Sequence, residues 1–388
     1  MNQLINNKLQ VSFLPWANLS KNMTIGPIIF WPYFNAKNQN KITDSETKEY
    51  LNKLFNLFVD YQSKPVKTIT ICSYNGNNLF KLNDSIYEIL RFTIDILIFT
   101  SIAPMLKTIV SNINHSGGWA PPTTNIFELH SFPLPDSCKD DFIAFLAGKN
   151  FHLFKIGDSK FYKPFETGGI FLGPDEKLTI EFSRLFSEDF PKNIYKRILR
   201  SLEWFRLAHV EGNEISELSK IVMMSTAFEI LLKFPEYSKE KKSYFVNYIK
   251  EHIVTKDFVK ETRKISNKSC ETTCERTLAE FWASDFYDLR SNIVHGDKLS
   301  LKDLIYKKSL SHIIVADLVF LECMMQVLFG SEFNINNNVS LNEKFLELLT
   351  NKKHTNQIKK SLILKWIWDV DDIHKALGWI LNSKGGIL

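Results

Sequence analysis

The sequence predicts an α+β N-terminal domain followed by an all-α helical bundle and a short helical C-terminal extension. Three observations carry this. Up to about residue 190, short apolar runs bounded by Asn, Ser, Gly and Pro alternate with helical patterns. Beyond Phe190–Pro191 the apolar residues recur at helical spacing. The polar stretch NINNNVS (334–340) then separates that region from two last helical segments. The expected domains are 1–190, 193–332 and 341–388.

In the first domain, Val11–Leu14, Ile25–Trp31 and Val66–Ser73 read as strands, the last followed by an Asn-Gly-Asn turn. Ser45–Val59 places Tyr50, Leu51, Leu54, Phe55 and Phe58 at helical spacing, and Ile86–Leu106 reads as a long buried helix stopping near Pro104. Asn112–Pro122 reads as a loop, with further strands at Ile126–Phe132, Phe151–Ile156 and Lys177–Phe182. In the second domain, helices are expected at Ile194–His209, Ser216–Phe234, Tyr244–Ile253, Thr277–His295 and Leu310–Phe329. Thr277–His295 is the clearest: Leu278, Trp282, Phe286, Leu289 and Ile293 recur at steps of three or four. Such helices make a bundle. Leu341–Asn351 and Gln357–Leu381 complete the reading.

Composition narrows the function classes. With 44% hydrophobic and 23% charged residues, this is an ordinary globular chain, and extensive disorder is excluded. A net charge of +5 permits a polyanionic partner without requiring one. Seven of the eight arginines lie between Arg184 and Arg290, and arginine is the better residue for forked contacts to phosphate. MNQLINNKLQ has neither signal-peptide nor transit-peptide character. Glu88, Arg91 and Asp95 interrupt the most hydrophobic segment, so no membrane span is expected where about 20 nearly uncharged residues are needed. Cys72, Cys138, Cys270, Cys274 and Cys323 are scattered and odd in number, as in a reducing cytoplasm. Cys270 and Cys274 would lie one turn apart on a helix, but no second pair with zinc-like spacing accompanies them. No metal, no cofactor, no phosphate loop and no nucleophile elbow are expected.

The residues that point to chemistry are FYDLRSNIVHG, 286–296. Arg290 and His295 stand near the end of a strongly periodic helix, and Gly296 follows where a left-handed glycine commonly closes one. Histidine side chains exchange protons near neutrality, and exposed carbonyls of a last helical turn favour the imidazolium. A guanidinium grips phosphate with two parallel hydrogen bonds. Together they supply what RNA cleavage by 2′-hydroxyl attack requires: a proton-transfer group, and a cation for the charge that builds on phosphorus. Five helical positions are ~500° of rotation, which leaves the two side chains ~140° apart on an ideal helix. Their convergence requires a distorted helix end or a second subunit across a two-fold axis, and the second is preferred. The plain structural alternative pairs Arg290 with Asp285 or Asp288 and leaves His295 as a helix-end residue.

The order of a WFRLA helix, an STAFEILLKF helix, a helix ending in YDLRSNIVHG and a long apolar helix resembles the HEPN superfamily. The wording is most similar to its ApeA-like branch. The resemblance covers 193–332 and implies a HEPN-type bundle that dimerises around its paired motifs. It further implies a metal-independent RNA endonuclease of toxin or antiviral systems, with Arg290 and His295 at the catalytic positions. Active members commonly carry Asn, Asp or His after the arginine, where this chain has Ser291; Asn292 is a further polar candidate. Glu229 matches an acidic position of the branch, for a structural or site-lining role. Lys298, Lys302, Lys307 and Lys308 are candidates to hold an RNA backbone. Expected partners are RNA, a second copy of the chain, and a cognate inhibitor or phage-derived trigger. The rival readings are a dimer that binds RNA or nucleotide without cutting, to which Ser291 points, and a dimerising regulatory scaffold.

Overall fold

A computed structural model describes residues 8–38, 40–111, 124–135, 142–147, 150–155, 160–164, 173–212, 215–252, 260–267, 270–306 and 310–333. The chain divides into two compact units, Met1–Ile102 with Pro122–Phe190 and Ala103–Pro121 with Pro191–Leu388. The architecture is a mixture of α and β, with eight α-helices among the described residues.

The first unit is built around β1 (Leu9–Leu14), buried from Gln10 onward. The run Ile25–Trp31, expected as one strand, is instead a hairpin of β2 (Met23–Ile25) and β3 (Ile28–Pro32). Gly26 makes the turn at φ +53°, and a Cβ there would meet the Phe186 ring at 2.4 Å. Glycine answers both demands. Helix α1 (Ser45–Phe55) starts at Asp44, whose carboxylate accepts from the Thr47 amide at 2.8 Å, and it buries Tyr50, Leu51, Leu54 and Phe55. After β4 (Phe58–Val59) and β5 (Thr70–Tyr74), Asn75 and Gly76 turn the chain at φ +49° and +81° into β6 (Phe80–Lys81). Helix α2 (Asp84–Ser111) runs through Pro104 instead of stopping there. The fully buried Leu97 and Ile98 and the nearly buried Ile102 lie just upstream of that proline.

The segment 126–132, expected as a strand, gives a 3₁₀ turn over Asn125–Phe127 before β7 (His130–Pro133). β8 (Phe142–Ala147) and β9 (Asn150–Lys155) pair with each other, while β10 (Phe161–Tyr162) lies parallel to β4. In the main antiparallel sheet, β1 is flanked by β5, β6 and β7, and β3 lies beyond β5. The Ser12 and Ser131 hydroxyls share a hydrogen bond of 2.8 Å. Phe13 packs edge-on against Phe55 and Phe58, which ties α1 and β4 to the sheet. Lys177–Phe182, expected as a strand, lies in helix α3 (Glu176–Ser183). Asp175 caps it by accepting from the Leu178 amide, and the buried residues Leu178, Thr179 and Phe182 share a helical face. Helical spacing here overrode strand propensity.

The second unit contains α4 (Lys192–Ala208), α5 (Glu217–Leu231), α6 (Ser238–His252), a hairpin of β11 (Lys260–Asn267) and β12 (Cys270–Thr277), then α7 (Leu278–His295). A short ladder of β13 (Ile305–Tyr306) and β14 (Leu310–Ser311) precedes α8 (His312–Phe333). The region is therefore not all-α. Cys270 and Cys274 lie on a strand opposite Asn267 and Arg263, not one turn apart on a helix. The threonines at 262, 272, 273 and 277 favour the extended backbone.

Helix α5 buries Ile221, Met224, Ala227, Phe228 and Leu231, and the Ser201 hydroxyl of α4 donates to the Ala227 carbonyl at 2.8 Å. Helix α8 is buried on all sides from Ile313 to Met325, as an interior helix should be. Two polar sets interrupt this core. His209, at the end of α4, places Nδ1 2.7 Å from the Phe205 carbonyl and Nε2 2.9 Å from Asp317 Oδ1, with both side chains fully buried. Glu322 accepts from Gln326 at 3.1 Å, and Gln326 also donates to the His252 carbonyl at 2.6 Å. Burial pushes the Glu322 carboxyl up to about 7, against the opposing Gln326 hydrogen bond.

Among the described residues, no helix is long and apolar enough to cross a membrane. The expected extension 341–388, the loop with His115, Cys138, and Lys307 and Lys308 lie outside the described residues.

Candidate functional site

Helix α7 carries the motif, and its two ends show why the chain is helical there. Thr277 and Glu280 form a capping box: the Thr277 hydroxyl accepts from the Glu280 amide at 3.3 Å, and the Glu280 carboxylate accepts from the Thr277 amide at 2.8 Å. At the other end Gly296 adopts φ +77°. Its amide donates to the Ile293 carbonyl, and that of Asp297 to the Asn292 carbonyl. Between them Trp282, Phe286 and Leu289 turn inward. His295 is the last helical residue and is exposed, beside exposed Asn292 and Val294.

Arg290 is three-quarters buried, and the ion pair found for it among the described residues is with an acid of another helix. Its Nη2 lies 3.4 Å from Glu229 Oε1 on α5, and its guanidinium sits 5.7 Å from the centre of the Tyr287 ring. The alternative pairing with Asp288 is absent: that carboxylate accepts from Lys242 of α6 at 2.5 Å. Glu229 is the hub of the arrangement. Oε1 also accepts from the Tyr287 hydroxyl at 3.3 Å, and Oε2 accepts from Lys241 Nζ at 2.6 Å. Burial first, and then the Glu229 charge, push the Tyr287 phenol up to about 12, with Arg290 opposing. Tyr287 is therefore a neutral donor at physiological pH.

The expected residues are thus brought together in part. Arg290 and Glu229 meet across two helices, whereas no hydrogen bond or ion pair of His295 is found among the described residues. Helix α7 stays regular through His295, so the rotation of ~140° between the two side chains stands. Ser291 is half-buried, and Lys298 and Lys302 are exposed beyond the helix end. Lys241 and Tyr287 were not among the residues the sequence singled out. Tyr287 could have been found, because it stands three positions before Arg290 and so shares its face. Lys241 carries no local signal, since its contact depends on the turn between α5 and α6.

Among the described residues there is no cluster of three or more His, Cys, Asp or Glu side chains that could hold a metal ion. No family model, no curated protein and no solved structure matches the chain.

Proposed function

We propose that the chain is an RNA endonuclease of the HEPN type that works without a metal ion, in a cytoplasmic toxin or antiviral defence setting. The observation that carries this reading is the end of α7. There a guanidinium anchored by Glu229 and an exposed imidazole stand five residues apart on one helix, closed by Gly296. A ribose 2′-hydroxyl loses its proton to an imidazole and attacks the adjacent phosphorus. The P–O5′ bond breaks, and the departing oxygen takes a proton. Arg290 stabilises the negative charge on the phosphoryl oxygens. The products are a 2′,3′-cyclic phosphate and a 5′-hydroxyl. The angular separation on α7 supports a two-fold dimer, in which His295 of one subunit serves with Arg290 of the other.

Incubation of purified protein with labelled RNA in EDTA tests the reading. Cleavage giving 2′,3′-cyclic phosphate ends is expected. Abolition of cleavage by EDTA, with 3′-hydroxyl products, overturns it. Ser291 favours a second reading, a dimer that holds RNA or a nucleotide without cutting it. Binding without cleavage under the same conditions would select that reading.

A further inference from the structure

We infer that Glu229, Lys241 and Tyr287 form a clamp that positions Arg290, an inference that rests on the ribonuclease reading above. Glu229 meets three partners: Oε1 forms an ion pair with Arg290 Nη2 at 3.4 Å and accepts from the Tyr287 hydroxyl at 3.3 Å, and Oε2 accepts from Lys241 at 2.6 Å. They come from two other helices, so the carboxylate is fixed from both sides. Its side chain is 14% exposed, that of Lys241 22% and that of Arg290 25%. Tyr287 is buried, at 7% exposed, so the acid and the phenol are the most covered members, and the Arg290 side chain keeps a solvent-facing part.

A guanidinium carries five N–H donors in a rigid plane. Arg290 directs Nη2 to Glu229, lies against the Tyr287 ring, and has its Nε enclosed. Those contacts fix the plane of the fork, and phosphate recognition by two parallel hydrogen bonds depends on that plane. Fixing it has a consequence of definite sign. A carboxylate beside the arginine repels an approaching phosphate while holding the cation still. Lys241 offsets that repulsion by neutralising Glu229. The clamp therefore trades affinity for orientation, and its two charged members act on RNA binding in opposite senses while both support the rate.

The test uses the full-length protein and the variants Glu229→Ala, Glu229→Gln, Lys241→Met and Tyr287→Phe. Four quantities are read: kcat and KM on an RNA substrate, affinity for a non-cleavable 2′-deoxy analogue, and hydrogen exchange at the Arg290 Nε–H by NMR. Glu229→Ala should lower kcat about 10- to 100-fold, the scale of a ~1 Å misplacement, while binding the analogue at least as tightly as wild type. Lys241→Met should lower both kcat and affinity. Tyr287→Phe should lower kcat several-fold with affinity unchanged. The Arg290 Nε–H should exchange slowly in wild type and faster in Glu229→Ala. If Glu229→Ala does not fold, Glu229→Gln serves, since it keeps an acceptor oxygen and should recover part of the rate.

Unchanged kcat in Glu229→Ala, or losses of rate and affinity that only follow loss of folded protein, overturn the clamp. A wild type that cleaves no RNA overturns the ribonuclease reading instead. The Nε–H exchange then decides the clamp by itself: faster exchange in Glu229→Ala supports it, and equal exchange overturns it.

Discussion

Removing Asp317 should be among the most damaging single changes in the second unit. His209 Nε2 stands 2.9 Å from Asp317 Oδ1, both side chains are fully buried, and among the described residues the second carboxylate oxygen has no hydrogen-bond partner. Breaking a buried pair by deleting one member strands the other and typically costs about 3–5 kcal/mol. At roughly 2–4 °C per kcal/mol for a unit of this size, Asp317→Ala should melt about 6–20 °C below wild type. Replacing both members by leucine removes the stranded charge and should recover most of that loss.

The pH dependence has a definite sign. Burial would lower the His209 pKa, and Lys220 acts in the same sense. The Asp317 carboxylate and the Phe205 carbonyl more than offset them, so the folded value is raised. Burial raises the Asp317 carboxyl too, with His209 opposing. A raised folded pKa stabilises the fold below the unfolded value, and that contribution is lost as pH climbs through the folded value. Wild type should therefore lose stability above about pH 6.5 relative to the double-leucine variant. Melting curves by circular dichroism at pH 6 and pH 9 measure both effects. An Asp317→Ala protein melting within about 2 °C of wild type would refute the reasoning, on the scale just given. So would a double variant as unstable as the sum of its parts.

Three further outcomes are expected. Glu322→Gln should flatten the pH dependence of stability between the ordinary carboxyl range and pH 7. The wild-type carboxyl is held at about 7 and forfeits stability as pH rises through that window, to the order of 3 kcal/mol at 1.36 kcal/mol per unit; denaturant melts at pH 5 and pH 8 check this. Gly296→Ala should destabilise by about 1 kcal/mol: φ is +77° but a Cβ would meet nothing within 4 Å, so the effect is conformational alone, read from a urea midpoint. His295→Ala should lower RNA cleavage roughly 10²–10⁴-fold, the scale of one proton-transfer group, with melting unchanged because the side chain is exposed.

Much of the helical region was legible because its signals are local. Thr277, the apolar steps through Ile293 and Gly296 mark the start, face and stop of α7, and all three lie within twenty residues. Lys177–Phe182 misled because six residues of mixed apolar character fit either period, and Asp175 as cap decides the matter. The hairpin Ile25–Trp31 was hidden by reading through Gly26, whose positive φ splits one apolar run into two strands. In the site, Arg290 was legible as a phosphate-binding type near a helix end, and Glu229 was named through the family resemblance, but their pairing was not legible. Asp285 and Asp288 were the near candidates in sequence. Glu229, 61 positions upstream, holds the arginine because α5 packs beside α7. Pairings that depend on packing between helices leave no periodic trace along the chain.

The central strand of the first unit also sets an order of assembly. Ser12 in β1 bonds Ser131 in β7, a separation of 119 residues, and Gly26 is packed by Phe186. At synthesis rates of ~5–20 residues per second, β1 waits roughly 6–24 s for β7 to emerge. Throughout that interval, buried aromatic residues of the finished sheet such as Phe13 and Phe30 have no completed sheet to enter. In the second unit, helices α4 and α5 meet through Ser201 and Ala227, only 26 residues apart, and such local contacts form fast, while α8 joins later through pairs such as His209 and Asp317. The sheet of the first unit therefore stays open until a segment more than a hundred residues downstream of β1 has emerged. A nascent chain halted before residue 130 would present an unfinished sheet edge to any chaperone within reach.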